Sequence, residues 1–402
     1  MKHINSILAG IIVAIFEVIF LFPVILLAFC SRIAKRPIDI GLGPQPLINN
    51  VYHKRSLMLQ GYSAETFVRT TWHTTKQFDF IGDAYLGNSK ITNNFITRYM
   101  VVLMLFFRVL FRYKCLFIYF NGGPLGSAAW LFQAIEPRLY KLANIKTVVM
   151  PYGADIQAMS LSGDLYFKHT VSKDYPYHRI LLKKNLSDIH RWSKRGDWVI
   201  SGCDWVDYMH HWNTLQLAHF SIDVEQWKTE KSIQIQGPLK VLHAPNHTAI
   251  KGTDHLRRAI KELQSDGYEI ELVVIQKQPN EVIRKTMEEV DLIADQFVIG
   301  WYAMFAIEGM AMERPVLCYL RHDLLELYLK ADLLKAEEMP LINTGLLEIK
   351  DKLIWCYNNR EELRRIGRKG RQYILKHHSL EFIGSEFASI LTQIGVQPTL
   401  KQ

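Results

Sequence analysis

From residue 37 onward, short apolar runs alternate with longer amphipathic stretches. Runs at 37–42, 66–71, 115–120, 146–150 and 198–201 predict one set of strands. Runs at 239–244, 270–275, 292–295 and 316–320 predict a second. The last of these, Val316-Leu317-Cys318-Tyr319-Leu320, is apolar throughout, as a parallel strand covered on both faces would be. The stretches between carry helical spacing. In 253–266, Leu256, Ile260 and Leu263 fall at i, i+4 and i+7. Further helices are expected at 50–60, 91–112, 175–195, 203–212, 280–289, 344–357, 360–377 and 380–394. Such alternation predicts an α/β fold with parallel sheets. The polar segment 228–237 reads as a linker. It divides the chain into a first domain at 37–227, a second at 228–379, and a last helical segment at 380–402.

Ahead of residue 37 the rhythm disappears. Residues 4–30 are apolar except for Asn5, Ser6 and Glu17. That is long enough for a membrane-spanning helix, which needs roughly 20 residues. It is too long for a typical secretory signal, and no small-residue cleavage site follows. Arg32, Lys35 and Arg36 follow it, against Lys2 before it, so the later residues are expected in the cytoplasm. Residues 1–36 therefore read as a single-pass anchor with a basic flank. Glu17 is read as one tolerated acidic residue; a protonated or partner-facing carboxyl is the alternative. The stretch 91–112 carries Arg98, Arg108 and Arg112 among Met and Phe. It fits either a core helix with snorkelled ends or a helix on the bilayer surface.

Composition narrows the partners. The chain has 402 residues, 49% of them apolar, enough for two domain cores. Its net charge of +9 calls for anionic partners: a nucleotide diphosphate, lipid phosphate or a membrane surface. No nucleic-acid or zinc motif accompanies the charge, so nucleic acid is not expected. Five scattered cysteines read as reduced thiols in a cytoplasmic catalytic part.

The candidate chemistry gathers at strand ends. Gly300 opens a turn into an apolar helix that carries one carboxylate, Glu308. Free N–H groups at a helix start favour phosphate, and the carboxylate can accept sugar hydroxyls. An ordinary crossover with a satisfied Glu is the alternative. Gly41 and Gly43 follow the first strand and suit close backbone approach to a ligand, or merely a tight turn. Asp155 follows strand 146–150, where it can face an acceptor or cap a helix. Lys251 and Gly252 precede the helix 253–266, where a cation neutralises phosphate.

The stretch 300–316 resembles the donor-binding signature of GT-B glycosyltransferases of the family-4 (retaining, group 1) type. That signature is E-x7-E, a small-residue helix and Pro-Val. Glu308, Met310, Ala311, Pro315 and Val316 stand in its places, the first Glu falls on Gly300, and the usual Gly on Glu313. Pro151–Asp155 resembles the family's strand ending in H-G-x-D, with Tyr152 at the His. Lys251-Gly252 matches its Lys-Gly; its Arg has no clear counterpart, Asn246 and His247 lying nearest. The resemblance covers roughly residues 37–395.

It implies two Rossmann-like domains facing a cleft, with 380–402 returning to the first. It also implies transfer of a sugar from a nucleotide-diphosphate sugar to an acceptor hydroxyl, with retention and no metal or further cofactor. Donor-binding residues would be Gly41, Gly43, Asn246, His247, Lys251, Gly252, Gly300, Tyr302 and Glu308. Lys251 would sit on the diphosphate, Glu308 on the ribose, and Asp155 on the acceptor side. The anchor points to membrane lipids and to a cell-surface glycan or lipid-linked acceptor. Two rival readings are a sugar-nucleotide 2-epimerase, which an anchor fits poorly, and a non-catalytic membrane scaffold with a degenerate fold.

Overall fold

A computed structural model describes residues 2–72, 75–85, 95–127 and 130–399. The chain opens with α1 (Lys2–Cys30), then β1 (Ile38–Leu42), α2 (Ile48–Leu59), β2 (Ala64–Val68), β3 (Phe80–Ile81) and the short α3 (Gly82–Tyr85). It continues through α4 (Phe95–Arg112), β4 (Tyr113–Tyr119), α5 (Leu131–Leu142), β5 (Lys146–Met150), α6 (Leu165–Asp174), α7 (His178–Arg195), β6 (Trp198–Gly202) and β7 (Thr214–Gln216). These seven strands form one parallel sheet in the order β3-β2-β1-β4-β5-β6-β7.

A second unit follows: β8 (Leu239–His243), α8 (Thr248–Lys251), α9 (Thr253–Ser265), β9 (Ile270–Val274), α10 (Asn280–Met287) and β10 (Leu292–Ala294). Then come α11 (Met304–Ala311), β11 (Val316–Cys318), α12 (His322–Lys330), β12 (Ile342–Asn343), α13 (Ile349–Asn358), α14 (Arg360–His377) and α15 (Leu380–Gln393). Its five strands pair in parallel as β12-β11-β10-β8-β9. The near-continuous apolar runs are therefore buried between helical layers, as their pattern predicts. Most expected elements appear within a residue or two.

The differences have local causes. The helix expected at 203–212 is a 3-10 turn over Cys203–Asp207, entered with Cys203 at φ 50°. That at 344–357 begins only at Ile349, after a 3-10 turn over Leu346–Glu348. The helices α5, α6 and α12 and the short strands β3, β7 and β12 were not expected. Asp164 starts α6, its carboxylate accepting from Phe167 N at 2.8 Å.

Two features position the rest. α1 packs along α4 and α5 through buried Val13, Glu17, Val24 and Ala28. The Glu17 carboxylate accepts from Trp130 N (3.0 Å), Leu131 N and Phe132 N (3.2 Å) at the start of α5, and from the Tyr99 hydroxyl (3.1 Å). Of the two sequence readings of Glu17, the partner-facing one describes this arrangement. At the far end of α1, the Arg36 guanidinium donates to the carbonyls of Leu110 (2.9 Å), Ala143 (2.6 Å) and Ser31 (2.9 Å). An acid at the start of α5 and a cation at its end both match the helix dipole. The second feature is α15, which crosses back onto α2. Ile383, Phe387, Ile390 and Leu391 share one core cluster with Ile40, Leu42 and Phe117 of the first sheet. The two passages between units are themselves joined, Ile222 N donating to His378 O at 2.9 Å.

Candidate functional site

In open parallel sheets, ligands bind outside the carboxyl ends of strands where the strand order reverses. In the second sheet that point lies between β8 and β10. The loops after these strands meet there. Lys251 ends α8 and donates to Asp295 Oδ1 at 2.5 Å and to Gln296 Oε1 at 2.7 Å. The Gln296 amide donates in turn to the carbonyl of Trp301, so Lys251 is wired to the loop entering α11. Asp295 is fully buried, and its Oδ2 has no partner. Gly252 follows Lys251 at φ 75°, the left-handed turn that separates α8 from α9.

Glu308 lies on α11 and is 4% exposed. Its Oε1 accepts from Asn280 Nδ2 at 2.8 Å. Burial pushes its carboxyl up to about 8, against the Asn280 bond and reinforced by Asp295. Asn280 opens α10 and also lines an open cleft of about 770 Å³ between the two units. Ile48, Tyr52, Lys76 and Gln77 face it from the first unit, and Pro279, Asn280, Glu281 and Arg284 from the second. Glu225, Gln226 and Trp227 of the crossing segment close its end. Glu308 thus stands directly behind a wall of the cleft.

Gly300 occupies the place of the family's first Glu, and the structure supplies a reason. A Cβ there would meet Arg321 Cγ at 2.2 Å and Cδ at 2.5 Å. The Arg321 guanidinium bridges Asp207 of the first unit (2.6 Å) and Asp323 (2.5 Å). Glu313, in the place of the usual Gly, sits at φ 55° just past the end of α11. The left-handed C-terminal turn that glycine favours is kept without the glycine.

The remaining expected residues are dispersed. Asn246 and His247 are exposed on the loop before α8; the His247 ring packs edge-on to Tyr175 across the two units. Tyr302 is buried, its hydroxyl bonded to those of Tyr373 (2.8 Å) and to His378 Nε2 (2.9 Å). Gly41 lies under the Tyr113 ring, and a Cβ on Gly43 would strike the Phe67 carbonyl at 2.0 Å. The close approach expected at both is thus made by the protein's own atoms. Asp155 is 1% exposed and accepts from Phe120 N, Tyr152 N and Gly153 N, all at 3.0 Å. Burial raises its carboxyl to about 7 against those donors. Its bonds tie together the loops after β4 and β5.

The structure therefore brings Lys251, Gly252, Gly300 and Glu308 to one region, and leaves Gly41, Gly43, Asp155 and Tyr302 in other contacts. Sequence reasoning missed Asn280, Asp295, Gln296 and Arg321. Asn280 carried one signal, a polar residue opening a helix after Pro279; the others depend on pairings across 20 residues or more.

No protein-family model matches the chain, and no curated protein does. Solved structures do. HepE of Anabaena, determined with UDP and glucose, superposes at TM-score 0.56 and 11% identity, over 88% of this chain and 99% of that one. Sucrose-phosphate synthase from Thermosynechococcus elongatus matches at 0.54 and 12%, over 89% and 99%. A glycosyltransferase from Rickettsia africae matches at 0.52 and 10%, over 90% and 99%. The fold is GT-B. At such identities the shared GT-B architecture is what these matches establish, together with the cleft between two parallel-sheet domains.

Proposed function

We propose that this protein is a membrane-associated glycosyltransferase that moves a sugar from a nucleotide-diphosphate sugar to an acceptor hydroxyl, retaining the anomeric configuration. The reading rests on Glu308, a buried carboxyl hydrogen-bonded to a wall residue of the interdomain cleft. HepE, solved with UDP and glucose, has the same fold. In this reading the nucleoside lies along Asn280 and Tyr52, and its ribose hydroxyls bond to Glu308. The diphosphate lies toward the start of α11, because the first N–H groups of a helix have no partner within it and favour phosphate. Lys251 supplies positive charge for the leaving diphosphate, shared with Asp295, and no metal is needed for that step. The departing phosphate takes the acceptor proton. The acceptor is a cell-surface glycan or lipid-linked precursor, chosen for the apolar α1.

A second reading, a nucleotide-sugar-binding scaffold without turnover, is favoured by one observation. Lys251 already has an acidic partner, and Arg321 fills the place of the first Glu. Calorimetric titration with UDP separates the roles of Glu308. At one fixed pH and at a temperature where each variant is fully folded, Glu308→Gln should weaken binding and Glu308→Ala weaken it further. An Ala variant that melts far earlier yet binds UDP normally would overturn the ribose role. Product formation by mass spectrometry across nucleotide sugars and acceptors then decides between transfer and scaffold.

A further inference from the structure

α1 has two faces. Val13, Glu17, Val24 and Ala28 are buried against α4 and α5. Opposite them, Ile11, Ile15, Val18, Phe22, Leu26 and Phe29 form an exposed apolar stripe. The neighbouring α4 repeats the pattern, with Met100, Phe107 and Phe111 exposed at i, i+7 and i+11. Phe16 packs edge-on against Tyr99, so the two helices adjoin. Neither helix offers an exposed carboxylate: α4 has none, and the single one of α1, Glu17, is buried in bonds to α5 and Tyr99. The described basic residues Arg32, Lys35 and Arg98 are exposed beside the stripes. Two adjoining helices with exposed apolar stripes, cations beside them and no accessible carboxylate of their own match an anionic leaflet.

The packing also constrains how that leaflet is met. From Val13 to Ala28 the buried edge runs about 22 Å along α1, at about 1.5 Å per residue. Glu17 and Arg36 fasten it to both ends of α5. If α1 crossed a bilayer, α4 and α5 would enter the hydrocarbon with it. So would the ion cluster of Glu65 with Arg108 and Arg112. Burying such charges in lipid is costly.

We propose that α1 and α4 together form an in-plane membrane seat: α1 lies along one leaflet, with the first domain on its inner side, and does not span the bilayer. This rests on the membrane association proposed above and specifies its geometry.

The test uses the full chain with an epitope tag at its N-terminus, bound to sealed vesicles of phosphatidylcholine and phosphatidylglycerol. Protease added outside should remove the tag, because tag and domains lie on one side. Phe107→Glu with Phe111→Glu should weaken partitioning by at least about tenfold, since α4 would bury its rings in the same leaflet. Melting temperature should be unchanged. Should that pair unfold the domain, Phe22→Glu, at a side chain 72% exposed, carries the same expectation. A protected tag, or a folded α4 variant that partitions like the parent, overturns the in-plane seat while membrane association stands. No vesicle binding, with a dimer that the α4 variant abolishes, overturns both and assigns the face to a second copy. UDP titration on the same preparations reports separately on the sugar-transfer reading.

Discussion

Glu308 shows how burial rewrites a residue's chemistry. Its folded carboxyl titrates near 8, against an ordinary value of 4.5. A raised acid favours the unfolded chain once that chain can ionise. Its contribution to stability is therefore present below about 4.5 and is lost as pH rises toward 8. Glu308→Gln has no such titration. Its melting temperature relative to the parent should climb across that window and level off above it; a constant difference would contradict the buried acid. Glu313 offers a simpler prediction. With φ at 55°, Glu313→Gly should raise stability by about 1 kcal/mol, read by urea unfolding. Both residues stood out in the sequence through their motif positions. What surrounds them did not: Asp295 is 44 residues from Lys251, and Arg321 closes the space at Gly300 from the start of another helix. Linear spacing holds no signal for such pairs.

Elements were more legible than their assembly. The inner strands β4, β5, β10 and β11 were readable because burial on both faces keeps most of their positions apolar, whereas the short strands β3, β7 and β12 gave no such run. α1 was readable as a long apolar helix for the same reason that its docking was not. An apolar face against lipid and one against protein look alike in sequence. Glu17 was the one available clue, and its partners lie beyond residue 98. Glu17→Ala removes the cap of α5 and leaves buried N–H groups unpaired, a loss of about 2 kcal/mol or more by denaturant titration in detergent. Glu17→Gln, which keeps one acceptor oxygen, should lose less. Deleting residues 1–36 would uncover the same apolar sides of α4 and α5, so the shortened domain should aggregate unless detergent replaces α1.

At the scale of the molecule, the two domains touch through specific bonds as well as through the crossings. Trp301 Nε1 donates to Leu217 O at 2.9 Å, Tyr328 OH to Cys203 O at 2.7 Å, and Arg321 pairs with Asp207. The Arg321–Asp207 pair is nearly buried. Asp207→Ala should cost about 3 kcal/mol and loosen the domains, since it strips one partner from a buried cation. Small-angle scattering would register the wider particle. An unchanged profile with unchanged stability would mean that the bond from Asp323 suffices to hold Arg321.

The placement of α15 bears on how the protein is made. β1 and α2 leave the ribosome early, yet the side chains that cover them, Ile383, Phe387 and Leu391, are translated only after the whole second domain. The second domain can close first, while the first exposes an open apolar sheet face and the bare stripe of α1 together. During that interval two apolar surfaces are open on one nascent chain, and in the membrane seat proposed above α1 would reach its leaflet before the domain that carries it is complete.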